Sequence, residues 1–527
     1  MRSLTSPKLV FYQYLLSIFP ILSLYTNNID ITNLRDILPS FFLSIVLTYV
    51  TFMIINKIIN NINTSALIVS CFLFSFFSYG HLFGLIRSLN YISFSQTSFF
   101  LIFISITLTA SYLLIKNIGE YLDGLTNTLN IFIGILIVLN IFDIAKYQIL
   151  SLDRYFDKTN KIIFDSNNTN TGQTYPDIYY IVLDSYPNKQ VLNEYFNFNN
   201  DNFINNLKKL DFVVQDSSYS NYPFTYASLT SSLNMNYIQD FEDAKTKQSF
   251  DREYLKNKLK DNYVLRYLKS IGYKYIHFKT SYTTTKTNEY SDIEIETSSL
   301  SGNEFNRILL QTTLLNPVIL YLELTLGPDN TLFKNKLRNQ ILITFKKISD
   351  LANKRVEHPR FIFSHIVSPH FPFLFYKDGA PRYDLSNIYL LDNYSKEYIK
   401  QAFIDQLSFI NRKTLKIVND IIQFSSEPPI IIIQSDHGFL ITNDWFNPPE
   451  WENPSKDFFV KQYSIIDACY IPKKSELFKS NTPVNTFRKI FNLYFNTNYE
   501  ILPRKHFFTH YKNHPYNFID ITNQLIN

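Results

Sequence analysis

The chain has 527 residues, a length that predicts two or three domains rather than one. Its formal net charge of +5 is small for this length, and no basic stretch is interleaved with aromatic residues, which argues against a nucleic-acid binder. The only 2 cysteines, Cys71 and Cys469, cannot supply a disulfide framework or a cysteine-rich metal site.

The first 150 residues contain five apolar runs, each about long enough to cross a hydrocarbon core as a helix. No Lys, Arg, Asp or Glu occurs in these runs before Asp143, near the end of the last one. Such closely spaced uncharged runs favour membrane helices over buried helices of a soluble protein. The sequence therefore predicts an all-α bundle of about five transmembrane helices over residues 1–150, at Leu9–Tyr25, Ile37–Ile55, Ala66–Ile86, Phe99–Ile115 and Leu129–Ala145.

The positive charges between these runs predict which way the bundle crosses the membrane. Most of these charges lie in segments that would be on the same side of the membrane as the N-terminus. An odd number of spans places the two chain ends on opposite sides of the membrane. We therefore expect the N-terminus in the cytoplasm and the C-terminal part outside. A polar segment over residues 151–175, which includes SNNTNTGQ, is predicted to be a linker.

From Asp177 onward, short apolar strands alternate with amphipathic helical runs, the pattern of an α/β domain with a central, mostly parallel sheet. We assign residues 176–527 to this domain. The Ser/Thr-rich stretch Thr280–Ser301 is expected to be a surface loop. The predicted strands are Ile178–Leu183, Tyr275–Phe278, Phe361–Ile366 and Pro429–Gln434, and the predicted helices include Phe203–Leu210 and Tyr398–Ile422.

Three of the predicted strands end abruptly in polar residues, in the segments IVLDSYP, FSHIVSPHFPF and IIIIQSDHGF. Ligands of open α/β sheets bind at the carboxyl ends of the strands, so Asp184, His370, Asp436 and His437 are expected to converge there. Taken singly, Asp184 fits a helix cap or turn and His370 fits a turn, whereas an adjacent Asp436 and His437 before a glycine are rarer. Taken together, these side chains favour a site for a divalent cation such as zinc or manganese.

A fourth segment, SNYPFTYASLTSSLNMNYI, predicts a helix that begins near Thr225. An ordinary N-cap explains a threonine at this place. The alternative is a nucleophile whose phosphate substrate is held by the free N–H groups and dipole of the helix start. A bound cation would help such a hydroxyl to lose its proton.

In this order, Asp184, Thr225, His370 and Asp436–His437 resemble the motifs of the alkaline phosphatase and sulfatase superfamily. The chain is most similar to its membrane-anchored members, such as lipoteichoic acid synthases and phosphoethanolamine transferases. The supporting segments are DIYYIVLDSYP, NYPFTYASLTSSLNMNY, SPHFPF, QSDHG and TPVNTFRKIFNLYFNTNYEILP. The resemblance runs from about Pro176 to the C-terminus and implies an alkaline-phosphatase-like fold.

The resemblance also implies a role for each matched residue. Asp184, Asp436 and His437 match metal ligands, and Thr225 matches a nucleophile that also touches the metal. His370 matches a substrate-binding histidine. Arg382 is assigned by its spacing to contact an anionic substrate.

Two departures from the superfamily narrow the expected chemistry. The C/S-x-P-x-R segment of true sulfatases is absent, which argues against sulfate-ester hydrolysis by that route. The Asp-x-x-x-His pair of two-metal members is also missing before SDHG, so a single Mn, Zn or Mg ion is expected. His506, His510 and His514 lie late enough to match a further histidine, but surface positions explain them equally well.

The sequence therefore predicts metal-dependent transfer of a phosphoryl or substituted phosphoryl group on lipid or cell-envelope substrates. Hydrolysis of phosphate or sulfate esters is the alternative activity, and a non-catalytic envelope-glycan-binding membrane protein is the alternative from another class. The expected location is the bacterial cytoplasmic membrane, with the lipid bilayer as a partner and the catalytic domain on the external side.

Overall fold

A computed structural model describes residues 9–29, 32, 34–88, 96–117, 121–156, 175–240, 252–297, 304–318, 334–354, 358–382, 384–385, 391, 394–441, 451–472, 478–479, 482–509 and 516–526. Residues 157–174, most of the predicted linker, lie outside this set. His510 and His514 lie outside it as well. The chain divides into two compact units, residues 1–160 with 302–331 and residues 161–301 with 332–527.

The first unit contains the predicted apolar runs as helices. They are α1 (Tyr12–Thr26), α2 (Leu34–Ile59), α3 (Ile62–Ser88), α4 (Gln96–Asn117) and α5 (Leu122–Phe156). Within the described residues, four of them, α2 to α5, are long and apolar enough to cross a membrane. Helix α1 has 15 residues and is shorter than a usual span.

A later part of the chain returns to this first unit. Helix α11 (Glu304–Thr312) packs against α1, α2 and α3, and the Ser40 hydroxyl donates to Asn306 Oδ1 at 2.7 Å. At Gly80 of α3 the two backbones approach so closely that a Cβ would lie 2.5 Å from Thr312 Cα. Glycine at this position therefore allows the contact, which the sequence analysis did not anticipate.

The second unit is an α/β domain. Its strands are β1 (Ile178–Leu183), β2 (Val213–Val214), β3 (Ser218–Tyr219), β4 (Lys274–Phe278), β5 (Ile293–Ile295), β6 (Arg360–Ile366), β7 (Ile430–Gln434), β8 (Ser464–Ile465), β9 (Asp467–Tyr470), β10 (Phe507–Phe508) and β11 (Ile519–Asp520). Its helices are α6 (Lys189–Glu194), α7 (Asp201–Lys209), α8 (Thr225–Asn234), α9 (Glu253–Lys260), α10 (Tyr263–Ser270), α12 (Lys334–Ala352), α13 (Lys396–Phe424), α14 (Lys456–Tyr463), α15 (Pro483–Tyr494) and α16 (Thr522–Ile526).

The central sheet has the strand order β2-β9-β7-β1-β6-β4-β5. Strands β7, β1, β6, β4 and β5 are parallel, and β9 and β2 are antiparallel. This confirms the predicted mostly parallel sheet. Both faces are apolar because helices cover both of them, which explains why β1, β6 and β7 read as continuous apolar runs.

Alternate side chains of β1 enter two different cores. Tyr179, Ile181 and Leu183 lie in the core under α7, α12 and α13, whereas Ile178 and Val182 lie in the core under α8, α10 and α15. This period of two along the strand produces a helix–sheet–helix sandwich. With β1 fixed at its centre, the carboxyl end of β1 lies between those of β6 and β7.

The prediction that Thr280–Ser301 is a surface loop is wrong in part. Ile293–Ile295 pairs with β4 as the edge strand β5, and Thr284 and Thr285 are buried. The strand has three residues and two of them are exposed, so it lacks the apolar run by which the other strands were recognised.

Candidate active site

The site begins where β1 ends. Asp184 follows the strand directly and is buried, and its main-chain N–H donates to the Ile366 carbonyl of β6 at 3.0 Å. Ser185 then takes a left-handed conformation (φ 60°), and its N–H donates to Asp436 Oδ1 at 3.2 Å. The sharp turn after β1 therefore ties Asp184 to the loop that follows β7.

Asp436 uses one carboxylate oxygen to fix its position. Its Oδ1 accepts N–H groups from Ser185 and from His437, the latter at 3.0 Å. Its Oδ2 is buried and has no hydrogen-bond partner among the described residues. A fully buried carboxylate with one orphaned oxygen needs a cation or a proton near that oxygen.

His437 directs a nitrogen at the same point. Its Nδ1 lies 2.8 Å from the Gly438 carbonyl, which can only accept a hydrogen bond, so the hydrogen belongs on Nδ1. The other nitrogen, Nε2, lies 3.6 Å from Asp184 Oδ1 and 3.6 Å from Asp436 Oδ2. In a neutral ring, the Nε2 lone pair would face two carboxylates, an arrangement that becomes favourable when a cation lies between the three atoms.

The three ligand atoms lie within 4.8 Å of one another, so Asp184, Asp436 and His437 fit a divalent cation. Without a cation, the charges of these residues shift one another's pKa values. Burial alone would lower the pKa of His437, but Asp436 and Asp184 raise it above its usual value. Burial alone would raise the pKa of Asp184, but His370, His365 and His437 hold it below its usual range.

His370 lies beside this group and remains partly exposed. Its main-chain N–H donates to the Asp184 carbonyl at 3.0 Å, and its ring centroid is 6.3 Å from that of His437. Its Nδ1 contacts the Phe371 carbonyl, which leaves Nε2 for other partners. A partly exposed imidazole at this distance suits contact with a substrate oxygen.

Thr225 is the first residue of α8 and is buried. The Ser228 N–H donates to the Phe224 carbonyl at 2.9 Å, and Phe224 has extended backbone angles (φ −131°, ψ 146°). Phe224 is therefore the N-cap, and the predicted N-cap role of Thr225 is wrong by one residue. Because the N-cap position belongs to Phe224, the Thr225 hydroxyl is not the capping group of α8.

A segment absent from the predicted site, residues 461–467, contacts the loops that follow β1 and β7 and the strand that precedes Thr225. Its main chain pairs β8 with β3 just before the Thr225 loop, and the Ile466 N–H donates to the Tyr186 carbonyl at 2.9 Å. The Gly438 N–H donates to the Gln462 carbonyl at 2.7 Å. A Cβ on Gly438 would lie 1.9 Å from the Lys461 carbonyl oxygen, so the glycine of the SDHG motif is required by close packing.

Arg382 lies in a separate ion-pair cluster. Its guanidinium is 2.5 Å from Asp405 Oδ2 and 3.7 Å from Asp384 Oδ2, and it lies 4.0 Å above the Tyr376 ring. The side chain is 4% exposed. Because this charge is already paired in a buried position, its predicted substrate contact stays a prediction that the surroundings do not favour.

His365 belongs to the site but escaped sequence reasoning. It is buried in β6, with Nε2 3.4 Å from Asp184 Oδ2 and Nδ1 2.8 Å from the Thr285 hydroxyl. The signal was present, because His365 lies within the same FSHIVSPHFPF segment as His370. His506 is also buried, bonded through Nδ1 to the Ser220 carbonyl at 2.7 Å, so the surface explanation is wrong for it.

Comparisons with known proteins return structural matches only. No protein-family model matches the chain, and no curated protein does. The C-terminal periplasmic domain of EptC from Escherichia coli, in complex with zinc, shares 12% identity with a TM-score of 0.42 and covers 67% of this chain and 94% of its own. The corresponding domain of phosphoethanolamine transferase EptC from Campylobacter jejuni shares 14% identity (TM-score 0.40, 62% of this chain and 92% of that one).

Integral membrane lipooligosaccharide phosphoethanolamine transferase A from Neisseria meningitidis also matches. It shares 11% identity with a TM-score of 0.42, over 92% of this chain and 95% of that one. These matches include one of the groups that the sequence motifs resemble.

Proposed function

We propose that the chain is a membrane-anchored, metal-dependent enzyme that transfers a phosphoryl or substituted phosphoryl group on lipid or cell-envelope substrates, with Thr225 as nucleophile. One observation carries the proposal, namely that His437 Nε2 faces both Asp184 and Asp436 at 3.6 Å with its own proton directed away. The sequence motifs supply the reaction class, and the apolar helices supply the reason to expect a lipid or envelope substrate.

In this proposal, Asp184, Asp436, His437 and the Thr225 hydroxyl hold one divalent cation. When bound, such a cation makes a hydroxyl more acidic and offsets negative charge on phosphate oxygens. The Asp436 carboxylate is held rigid by the N–H groups of Ser185 and His437, so its free oxygen is preorganised. The buried position of these ligands keeps water from competing for them.

Thr225 performs the covalent step. Its hydroxyl oxygen bonds to phosphorus as the bond from phosphorus to the leaving oxygen breaks, and the hydroxyl proton passes to solvent. The first N–H groups of a helix have no partner within the helix, and in this proposal those at the start of α8 face the phosphate oxygens. His370 binds a further substrate oxygen. In the second step, an acceptor hydroxyl displaces Thr225, which recovers a proton.

The proposed site is external, on a protein of the bacterial cytoplasmic membrane. Phosphate-ester hydrolysis uses the same two steps with water as acceptor. Added alcohols separate the two activities, because a transferase forms the alcohol's phosphodiester whereas a hydrolase releases the phosphate monoester. The measurement is product analysis by mass spectrometry.

The metal site is tested with the full chain in detergent, by measuring bound metal and the release of p-nitrophenolate from bis(p-nitrophenyl) phosphate. We expect Asp184→Ala, Asp436→Ala and His437→Ala each to lower both quantities, because each removes a ligand. His358→Ala, at an exposed histidine of the same unit, is the matched control and should change neither. Unchanged metal content in all three ligand variants would place the site elsewhere.

A further inference from the structure

Two buried glutamines outside the recognised motifs hold the loops that carry the proposed nucleophile and the proposed substrate histidine. Gln462 lies at the end of α14, and Gln406 lies within α13. Both are almost fully buried, and the amide of each is bonded to main-chain carbonyls of a distant loop. We propose that they are positioning residues with separate effects, Gln462 on the attack by Thr225 and Gln406 on substrate binding by His370.

Gln462 makes hydrogen bonds to both the Thr225 loop and the His437 loop. Its side-chain Nε2 donates to the Pro223 carbonyl at 2.8 Å, two residues before Thr225. Its main-chain carbonyl accepts the Gly438 N–H at 2.7 Å, one residue after His437. One residue of 7% exposure is therefore bonded both to the loop of the proposed nucleophile and to the loop of a proposed metal ligand.

Gln406 organises the His370 loop in a similar way. Its Nε2 lies 3.0 Å from the Pro369 carbonyl, 3.0 Å from the His370 carbonyl and 3.3 Å from the Pro372 carbonyl. Its Oε1 accepts the Leu374 N–H at 2.6 Å. The prolines of this loop have no main-chain N–H to donate, so the loop makes few hydrogen bonds of its own. The Gln406 side-chain amide supplies hydrogen bonds in their place.

The two glutamines act on different parts of the reaction because they contact different loops. Loss of the Gln462 amide frees the segment before Thr225 and leaves the His370 loop unchanged. Loss of the Gln406 amide frees the His370 loop and leaves Thr225 unchanged. This inference rests on the proposed function, in which Thr225 attacks phosphorus and His370 binds the substrate.

The test uses the metal-loaded full chain in detergent, in excess over bis(p-nitrophenyl) phosphate, so that each enzyme turns over at most once. The rate constant at saturating enzyme reports the attack and does not depend on how much enzyme is inactive. The enzyme concentration that gives half of this rate reports substrate binding. Methionine replaces glutamine because it has similar length and no N–H to donate.

We expect Gln462→Met to lower the saturating rate constant on the order of 10²-fold, the loss expected for a reacting group misplaced by about 1 Å, with half-saturation within about twofold. We expect Gln406→Met to raise the half-saturating enzyme concentration about tenfold, with a smaller change in rate constant. Gln340→Met is the control, because Gln340 also loses an amide bond, to the Thr297 hydroxyl at 3.0 Å, away from both loops.

If a methionine variant does not fold, Gln462→Leu and Gln406→Leu provide a second apolar replacement that removes the donor to the carbonyls. An unchanged rate constant in the Gln462 variants, or the same pattern of change at both glutamines, overturns the positioning inference alone. A metal-loaded wild type that releases no p-nitrophenolate contradicts the proposed function, and this inference with it.

Discussion

The two units of the chain place the same residue types in opposite environments. In the helices α2 to α5, large aliphatic side chains such as Leu47, Ile106 and Val138 are more than half exposed. In the α/β unit, Ile181, Ile433 and their neighbours on the sheet are fully buried. Since large exposed apolar surfaces are rare on soluble proteins, the exposed side chains of α2 to α5 indicate a lipid surrounding for the first unit.

Polar residues differ between the units as well. In α2 to α5 most charged residues lie in the first or last turn, and the exceptions are Asp143 and Lys146 of α5. The α/β unit buries charged groups at the carboxyl edge of its sheet, where Asp184 and Asp436 are almost inaccessible. Buried carboxylates of this kind need partners, and this is why the second unit, and not the first, is the place to expect catalysis.

The largest expected effect on stability comes from replacing a buried isoleucine of the sheet. Ile433→Ala removes side-chain volume from β7 and should lower the unfolding free energy by about 2–5 kcal/mol. Ile106→Ala in α4, at 62% exposure, should change it by no more than about 0.5 kcal/mol, because few protein contacts are lost. The 2 tryptophans, Trp445 and Trp451, both lie in the α/β unit, so their fluorescence follows the unfolding of that unit.

For Ile106→Ala, the matching readout is dye labelling of Cys71 in α3, in a Cys469→Ser background. Equal destabilisation by the two alanine substitutions, each read in its own unit, would contradict the contrast between the units.

A charge at an exposed isoleucine distinguishes lipid contact from water contact. Ile106→Asp should oppose membrane insertion of α4 by about 3 kcal/mol, because the carboxylate would face hydrocarbon. Ile293→Asp, at 48% exposure on the edge strand β5, should cost within about 0.5 kcal/mol, because the carboxylate would face water. The measurement is the yield of membrane-integrated protein from cells, and full integration of Ile106→Asp would show that α4 does not face lipid there.

Acid should destabilise the α/β unit selectively. Burial lowers the pKa of His277 to about 4 and that of His506 to about 4, against about 6.5 in the unfolded chain. Between these values the unfolded state binds more protons, so stability falls as pH decreases through this window. Only one of the 9 histidines, His81, lies in the first 160 residues.

The contribution of a single histidine to this pH dependence is measured by replacing it with a residue that does not titrate. His506→Gln keeps an N–H for the Ser220 carbonyl and stays neutral. Acidification to pH 5.5, one unit below the unfolded pKa, lowers the unfolding free energy. We expect this decrease to be about 1 kcal/mol smaller in His506→Gln than in the wild type. Identical pH dependence of the two proteins, followed by tryptophan fluorescence, would show that His506 is charged or exposed in the folded state.

Sequence reasoning recovered the elements whose signals are local. Apolar runs identified the helices of the first unit and strands such as Phe361–Ile366, which forms most of β6, because length and composition determine them. It also brought Asp184, Asp436 and His437 together, because parallel strands end at one edge. It missed β5, where two of the three residues are exposed and no continuous apolar run marks the strand.

The contacts that sequence reasoning missed are long-range. Gln462 is 239 residues from Pro223, and nothing near either residue predicts their hydrogen bond. The return of α11 to the first unit is a second example, because it depends on the absence of a side chain at Gly80 in α3. The assignment of Thr225 as N-cap failed by one residue because Phe224 is still extended where the first helical bond begins.

The most direct test of the central proposal is chemical trapping at Thr225. The metal-loaded full chain is mixed with bis(p-nitrophenyl) phosphate, quenched in acid and mapped by mass spectrometry. Thr225→Ala removes the hydroxyl and a buried methyl group, and should lower the unfolding free energy by only about 1 kcal/mol, because Phe224 is the N-cap and no capping bond is lost. We predict a p-nitrophenyl phosphoryl adduct on Thr225 in the wild type, partial turnover in Thr225→Ser, and neither adduct nor turnover in Thr225→Ala. Full turnover in a folded, metal-loaded Thr225→Ala variant would contradict the account.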